Sequence, residues 1–254
     1  MNNLKQGFTA ENHRVRVGAQ RREATRLRLI ESALTVLAEK GPDTATIEDF
    51  IAAAQVSRGT FYNYFRTTSE LLLAVASGMS DEILQVVDPA VQQFSDPVAR
   101  FSAGSRLYMQ TALRYPVWGA FITRVGTRVA ARGQLIDVYL NRDLLEAIAR
   151  DRLKIHNVRV ARDVVLGTIF FGIETMLTEP THDHHPEQMM RCVLTGFGLP
   201  DAEAKAIAFA PLPVLGDVQG PIFSRLTPVP ASVPAPSAVA AKRKISFSRR
   251  KQQN

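Results

Sequence analysis

Four short segments with helical periodicity follow one another within residues 22–80, separated by capping and turn residues. In the first segment, which ends near Lys40, apolar residues recur three or four positions apart and so share one face of a helix. A Gly-Pro dipeptide then stops the helix, and Thr46 followed by Asp49 has the spacing of a capping box at the start of the next helix. Because helices this short are stable only when their apolar faces pack together, the pattern predicts a small helical domain.

Helical periodicity also describes the chain from residue 84 to residue 210. We predict helices over these segments: 97–115, 118–125, 134–151, 158–179, 186–198 and 201–210. In the third of them we expect Val138 and Leu145 to point inward. No stretch shows the alternation of apolar and polar residues that is typical of a strand. The sequence therefore predicts an all-α fold, with an N-terminal three-helix domain at 22–83 and an all-helical domain at 84–210.

The positive charge of the chain lies at its two ends. The 254 residues carry a formal net charge of +7, but residues 1–28 hold seven Lys or Arg against two Glu. Residues 200–254 hold eight Lys or Arg against three acidic residues, so the segment 29–199 has a net charge of −3. Basic ends favour contact with a polyanion such as nucleic acid, and a solvated basic surface is the alternative.

The two ends also lack the pattern of a packed domain. We predict that residues 1–21 form a flexible basic arm, which either enters a DNA minor groove or stays in solvent. Residues 211–254 are predicted to be a disordered Pro/Ala-rich linker with a basic tail, since seven prolines lie within 211–236. No apolar run reaches the roughly 18 to 20 residues needed to cross a bilayer, and no signal peptide is recognisable. We therefore expect a cytoplasmic protein without a membrane partner.

The segment Thr46–Phe65 reads TIEDFIAAAQVSRGTFYNYF, two short helices joined by a tight turn. The second helix starts with the slim residues Ser57, Gly59 and Thr60, and a helix that enters the DNA major groove, about 12 Å wide, needs slim leading residues. Glycine inside a helix costs about 1 kcal/mol relative to alanine, and a close approach of the backbone to a phosphate would explain Gly59. This arrangement is that of a helix-turn-helix, and the alternative is a helical hairpin without a DNA role.

The aromatic residues of this segment agree with a helix-turn-helix. Phe61 and Phe65 lie four positions apart and are expected to face the three-helix core. The side chains that remain on the outer side are those of Tyr62, Asn63, Tyr64 and Arg66. Polar and aromatic side chains in such a position are suited to contacts with phosphates or base edges.

The segment from Val56 to Phe65 resembles the recognition helix of the tetracycline-repressor (TetR) family, and the spacing of the helices over residues 22–80 is similar to the whole DNA-binding domain of that family. The resemblance implies phosphate contacts from hydroxyl groups, a close approach of the Gly59 backbone to the groove, and contacts of two tyrosines with phosphates or base edges. The residues that it implies as DNA-binding are Thr46, Ser57, Arg58, Gly59, Thr60, Tyr62, Asn63, Tyr64, Arg66 and Thr68.

Two positions depart from the pattern of the TetR family. The family usually has a lysine where Thr68 stands, so one phosphate contact is expected to weaken or to pass to Arg66. The family often has a glycine where Gln55 stands, so this residue must accept a turn geometry that suits glycine better or change it.

Beyond residue 83 the resemblance implies a domain that binds a small molecule and forms a homodimer. The dimer interface would be a four-helix bundle made from the segments 158–179 and 186–198. Aromatic residues that are candidates to line a pocket, with plain core packing as the alternative, are Phe101, Tyr108, Trp118, Phe121, Tyr139, Phe170 and Phe171. We expect this pocket to be apolar with few charges inside, which favours an aromatic, acyl or other hydrophobic effector.

Other candidate sites are weaker. The segment 182–185, His-Asp-His-His, lies between two prolines and is interpreted as a solvated loop rather than a metal site. Cys192 is interpreted as a small core residue rather than a redox sensor. No phosphate-binding loop, nucleophile elbow or dinucleotide-binding glycine pattern is present, so the sequence predicts no catalysis, no metal and no cofactor.

These patterns together predict a sequence-specific DNA-binding transcriptional regulator. The first hypothesis is a dimeric repressor that binds an inverted-repeat operator and is released from it by a small hydrophobic ligand. The alternative is a DNA-binding regulator without a small-molecule effector, controlled by a protein partner. A filled second domain favours the alternative, and an open cavity favours control by a ligand.

Overall fold

The computed structural model describes residues 3–41, 44–129 and 134–225 of the chain. Within these ranges the chain forms ten α-helices and a 3₁₀ turn, and no β-strand, which confirms the predicted all-α fold. The helices are α1 (Asn3–Lys40), α2 (Ile47–Ala54), α3 (Arg58–Tyr62), α4 (Thr68–Val91), α5 (Pro97–Arg114), α6 (Pro116–Val129), α7 (Leu135–Ala149), α8 (Val158–Thr178), α9 (His185–Gly196) and α10 (Asp201–Ala208).

The short helices of the N-terminal domain begin at capping residues. The hydroxyl of Thr46 accepts a hydrogen bond from the N–H of Asp49, whose carboxylate accepts one from the N–H of Thr46, so the predicted capping box of α2 is present. Ser57 caps α3 by accepting from the N–H of Thr60. Thr67 caps α4 by accepting from the N–H of Glu70. These bonds define the ends of α2, α3 and α4 locally, before any distant part of the chain is involved.

The core of the N-terminal domain contains the residues that helical periodicity places there. Phe50, Phe61 and Phe65 are buried, and they pack with the inner face of α1 and with Leu71 of α4. Helix α3 ends at Tyr62, three residues earlier than predicted, but the chain turns so that Phe65 still reaches the core. The outer face of α3 therefore stays available for a partner.

The structure differs from the sequence prediction at the N-terminus. We predicted no regular structure before residue 22, whereas α1 begins at Asn3. Residues 3–21 contain no proline and many residues with good helix propensity, such as Ala, Glu, Gln and Arg, so the helix continues without an apolar face of its own. Arg16, Arg21 and Arg22 are exposed along this extension.

Helix α5 is the centre of the second domain. It starts at Pro97 with Asp96 as its cap, as the sequence predicts, and it packs against α4 and against every helix from α6 to α10. Thirteen residues of α5 are buried, among them Arg100 and Arg106. A helix that is buried on almost every side and still carries two arginines needs acidic partners on its neighbours.

Two predictions about inward-facing residues are wrong. Val138 and Leu145 of α7 are exposed, because the buried face of that helix is shared by apolar residues and by Asp143, which is paired with arginines. Cys192 is also exposed, since Met190 and Val193 occupy the inner face of α9. The sequence prediction placed these side chains in the core because it assumed that every buried position of a helix is apolar.

The segment that follows α10 packs on the second domain, so the prediction of a disordered linker is wrong for residues 211–225. We call these residues the C-terminal strap. Val218, Ile222 and Phe223 of the strap are buried, and the last two form part of a turn that ends at Arg225. Prolines prevent a helix or a sheet here, but they do not prevent an extended chain from burying apolar side chains. The prediction for residues 226–254 lies outside the described residues.

Candidate DNA-binding surface and ligand pocket

The outer face of α3 presents several of the predicted DNA-binding residues together. Arg58, Gly59, Tyr62 and Asn63 are exposed, and Tyr62 has 45% of its surface accessible. The ring of Tyr62 packs edge-on against the buried ring of Phe61, with centroids 5.7 Å apart. This contact holds the ring of Tyr62 in place, with its hydroxyl group at the surface of the domain.

Nothing inside the protein requires glycine at position 59. Its φ is not in the left-handed region, and a Cβ atom built there would have Oγ of Ser57, 3.9 Å away, as its nearest neighbour. The helix nevertheless accepts the loss of about 1 kcal/mol that glycine brings. The close approach of a partner, rather than packing inside the protein, therefore explains why this exposed position has no side chain.

The hydroxyl groups that the resemblance assigns to phosphate contacts already hold the helix ends. Oγ of Ser57 lies 2.8 Å from Oγ1 of Thr60, and Oγ1 of Thr46 donates to the carboxylate of Asp49 at 2.9 Å. Thr46 and Ser57 are the N-caps of α2 and α3, and Thr60 lies in the first turn of α3. Helix N-termini with hydroxyl caps are suited to binding anions such as phosphate.

The cations of this surface are exposed and exchangeable. Arg58 pairs with Glu48 of α2, and both side chains are more than 60% accessible, so a phosphate can replace Glu48 with little penalty. Arg66 is exposed, and its backbone N–H donates to Glu70 at 2.7 Å. The two other predicted residues, Tyr64 and Thr68, are half-buried.

The turn between α2 and α3 has the geometry expected from the departure at Gln55. This residue has φ 52° and ψ 46°, the left-handed conformation that favours glycine. On the other side of α2, hydrogen bonds from Lys40 and from Thr46 lower the pKa of Asp49 to about 2. Helix α2 therefore begins with a strongly stabilised carboxylate, Asp49, in its first turn and ends at a residue in a strained conformation, Gln55.

A cavity of about 460 Å³, measured with its open mouth, lies in the second domain between α4, α5, α7 and α8. The residues that line it are Leu84, Val87, Asp88, Val91, Arg100, Phe101, Gly104, Ser105, Tyr108, Ile136, Tyr139, Leu140, Asp143 and Ile169. Three of the aromatic candidates, Phe101, Tyr108 and Tyr139, are in this wall.

The remaining aromatic candidates do not line the cavity. Trp118 is fully buried behind the wall, and its ring packs edge-to-face against that of Tyr108 with centroids 4.9 Å apart. Phe121 is core, Phe170 is half-buried, and Phe171 is 75% exposed on the outer face of α8. The structure thus places some of the predicted aromatic residues in the cavity wall, others in the core behind it, and Phe171 on the surface.

Three charged side chains, those of Asp88, Arg100 and Asp143, belong to the wall. Nε of Arg100 donates to Asp143 at 3.0 Å, and Nη2 of Arg142 donates to Asp88 at 2.7 Å. Arg142 also donates to Asp143, so two arginines and two aspartates form one connected group beside the cavity. Because these charges pair with one another, the surface that faces the cavity is almost entirely apolar, in agreement with the predicted apolar pocket.

Sequence reasoning missed Asp88, Arg100 and Asp143 as pocket residues. A signal was present, since Arg100 and Asp143 occupy positions on the apolar faces of α5 and α7 where a charge is unexpected. Such a charge indicates either a buried pair or a site, and the 43 residues between the two positions conceal their contact.

The hydroxyl of Tyr108 connects the cavity wall to α4. It lies 2.7 Å from Oγ of Ser80, and burial raises the pKa of Tyr108, so the phenol is neutral at any physiological pH. Within the described part of the chain there is no group of three or more side chains suited to hold a metal ion, and the loop at 180–184 contains no such group. No described helix has the length and apolar character of a membrane span.

The geometry of α2 and α3 and the helical second domain agree with known sequence families. Residues 29–75 match the model of bacterial regulatory proteins of the tetR family, and residues 96–210 match the model of the tetracyclin repressor-like C-terminal domain. This chain belongs to the TetR family. TetR-family proteins are transcription regulators that bind operator DNA and dimerise.

Individual relatives of the TetR family support this assignment. The chain is 32% identical to RolR in its crystal structure with resorcinol, with a TM-score of 0.68 over 78% of this chain and 100% of RolR. RolR without ligand gives a TM-score of 0.67 and 29% identity over 75% of this chain and 100% of RolR. The regulator CymR of Pseudomonas putida is 38% identical over 96 residues, 34% of this chain and 47% of CymR. The chain spans less than half the length of the curated relatives it matches.

Proposed function

We propose that this TetR-family chain is a dimeric repressor that binds an inverted-repeat operator through α3 and leaves it when a small hydroxylated aromatic compound occupies the cavity. The observation that carries the proposal is the course of α4. This helix begins at Thr68, directly after α3, and farther along it supplies Val87 and Asp88 to the cavity wall. If α4 can occupy two positions, a ligand that binds one of them more tightly shifts α4 toward that position. The shift changes the distance between the two DNA-binding domains of the dimer.

The composition of the cavity wall favours an aromatic ring with hydroxyl groups. Leu140, Ile169 and Phe101 provide apolar contacts, and the carboxylates of Asp88 and Asp143, which accept hydrogen bonds from Arg142, are the polar groups of the wall nearest to a bound hydroxyl. The similar protein RolR has been crystallised with resorcinol, an aromatic compound with two hydroxyl groups. The open cavity favours this ligand-controlled mechanism over control by a protein partner alone.

The outer face of α8 supports the proposed dimer. Val160, Val164 and Phe171 follow one another at helical spacing, and they are 48, 42 and 75% exposed in the single chain. A stripe of exposed apolar side chains on a long helix marks an interaction surface. We propose that this stripe packs against α8 and α9 of a second copy in a four-helix bundle.

DNA binding is tested with a labelled fragment from the region upstream of the chain's own gene. We expect Tyr62→Ala to weaken binding about tenfold, which corresponds to about 1.4 kcal/mol, with an unchanged melting temperature. The matched control Tyr62→Phe keeps the ring and tests the hydroxyl alone. Failure of the wild-type protein to bind any such fragment at low salt contradicts the proposal.

Ligand control is tested by adding resorcinol to the protein–DNA complex. We expect release of the DNA, and we expect 1,3-cyclohexanediol, which has the hydroxyl groups but no aromatic ring, to act much more weakly. Equal effects of both compounds, or none from a series of mono- and dihydroxybenzenes, would contradict an aromatic effector.

The dimer is tested by sedimentation of two charge variants. Phe171→Glu places a carboxylate in the proposed interface and is expected to give a monomer. Val214→Glu is the matched control, because Val214 is 97% exposed in the strap, away from α8. A dimer that persists in Phe171→Glu would show that the interface lies elsewhere.

A further inference from the structure

The C-terminal strap, residues 211–225, lies outside both parts of the chain that match the family models. Its first half is mostly exposed, whereas Val218, Ile222 and Phe223 are 7, 3 and 2% exposed. Ordering an irregular segment costs conformational entropy of about 1 to 2 kcal/mol per residue. The docked strap therefore depends on specific contacts, and these contacts concentrate on α4 and on the junction between α5 and α6.

The strap makes a buried polar contact with a carboxylate of α4, in addition to the exposed salt bridge between its Asp217 and Arg114 of α5. The N–H groups of Ile222 and Phe223 donate to the two oxygens of Glu82 at 3.0 and 2.9 Å. Burial raises the pKa of Glu82, and the two N–H donors oppose this effect by stabilising the carboxylate. The hydrogen bonds that compensate for burying this group on α4 thus come from a segment 140 residues away.

Two glycines allow the strap to approach α4 closely. A Cβ atom at Gly220 would lie 2.2 Å from the carboxyl carbon of Glu82. A Cβ atom at Gly78 of α4 would lie 2.7 Å from Cδ1 of Ile222. Neither position leaves space for a side chain, so the strap and α4 fit each other over a full turn of the helix.

The apolar anchor of the strap is Phe223. Its ring packs edge-on against Tyr115, with centroids 4.8 Å apart, and lies 6.2 Å from the ring of Trp118 on α6. Trp118 in turn packs edge-to-face against Tyr108 of the cavity wall. Aromatic contacts of this kind add about 0.5 to 1.5 kcal/mol beyond their buried area.

We propose that the strap is an intramolecular clamp that holds α4 in its DNA-binding position, so that release of the strap weakens operator binding. The inference rests on the proposed function, since it concerns the same helix that links the cavity to the DNA-binding domain. The strap contacts α4 at Gly78 and Glu82, which lie about 15 to 21 Å along the helix axis from its first residue, Thr68. A helix fixed at this point presents the DNA-binding domain in one orientation, and this preorganisation raises affinity.

The test uses two glycines of the same strap in the full chain. Gly220→Val collides with Glu82 and is expected to release the strap, whereas Gly216→Val is the matched control because nothing lies within 4 Å of a Cβ atom there. A second variant, Glu82→Gln, keeps the size of the side chain but replaces one acceptor oxygen by a donor. It removes one strap hydrogen bond without introducing a collision.

Release of the strap is followed through Trp118, the only tryptophan of the chain. Its side chain is buried beneath Phe223, so we expect at least twofold stronger acrylamide quenching in Gly220→Val, an increase in Glu82→Gln, and none in Gly216→Val. We expect the same two variants to bind the operator fragment about tenfold more weakly, with far-ultraviolet circular dichroism like that of the wild type.

Each outcome has a defined meaning. Unchanged quenching in both Gly220→Val and Glu82→Gln overturns the clamp, because the strap would not cover Trp118. Stronger quenching with unchanged DNA affinity also overturns it, because α4 would not depend on the strap. If the wild-type protein binds no DNA, the proposed function fails and the clamp fails with it; failure of the clamp alone is recognised by normal DNA binding of the wild type.

Discussion

The DNA-binding domain and the second domain use charged residues in opposite ways. On the DNA-binding surface, Arg58 and Glu48 form a pair in which both side chains are more than 60% exposed. In the second domain, Arg106 and Glu187 form a pair in which neither side chain is more than 9% exposed. Exposed pairs exchange partners at little cost, whereas a buried pair that loses one member leaves an unpaired charge. The first arrangement suits a surface that binds DNA, and the second fixes helices against each other.

The largest expected effect follows from the buried pair. Arg106→Ala removes the partner of Glu187 and a donor to the carbonyl of Ala210, so we expect the free energy of unfolding to fall by about 3 to 5 kcal/mol. Urea unfolding measures this loss. The matched control is Arg191→Ala, which breaks the exposed pair with Asp201 and is expected to change stability very little. Similar losses in both variants would remove the contrast between buried and exposed pairs.

The next effect concerns the cavity. At Gly104 of α5, a Cβ atom would have Val87 as its nearest neighbour, 4.0 Å away, so the wall has room for a side chain. We expect Gly104→Leu to fill the cavity and to reduce the affinity for the aromatic effector at least tenfold, while DNA binding persists. Calorimetric titration and operator binding measure the two quantities. Unchanged ligand affinity would place the effector outside this cavity.

Two substitutions at the end of α2 test whether local backbone conformation stabilises the DNA-binding domain. Gln55→Gly relieves the left-handed conformation at the helix end, and we expect it to stabilise the protein by up to about 1 kcal/mol. Ala53→Gly, two residues earlier and exposed inside the helix, is expected to destabilise it by about 1 kcal/mol. Thermal unfolding measures both changes. Effects of the same sign would show that backbone conformation at position 55 is not the cause.

The smallest effect depends on pH. Because its folded-state pKa is lowered to about 2, Asp49 stabilises the fold above pH 4, and this contribution disappears as the pH falls from 4 towards 2. We expect Asp49→Asn to melt at a lower temperature than the wild type at pH 5, and the difference to shrink at pH 3 and below. A difference that does not depend on pH would show that the side-chain charge of Asp49 has no role in the capping box.

The DNA-binding domain could be predicted from the sequence because its determinants are local. The caps Thr46 and Ser57 act within three residues, and Phe61 and Phe65 are both buried as their spacing predicts, although α3 ends at Tyr62. Local hydrogen bonds and helical periodicity leave their pattern directly in the order of residues. The exception is the N-terminal extension of α1, since residues 3–21 have no apolar periodicity that could predict a helix.

The cavity and the strap could not be predicted in the same way, because their contacts join distant parts of the chain. Arg100 meets Asp143 across 43 residues, and Glu82 meets Ile222 across 140. Periodicity identifies a buried face but not which charge enters it, and a Pro-rich composition excludes regular structure without excluding packing. The sequence by itself determined most of the helices, the caps of α2 and α3, and the candidate DNA-binding surface. Only the tertiary structure decided which buried charges meet at the cavity and where the C-terminal strap lies, because such pairs depend on how the helices pack.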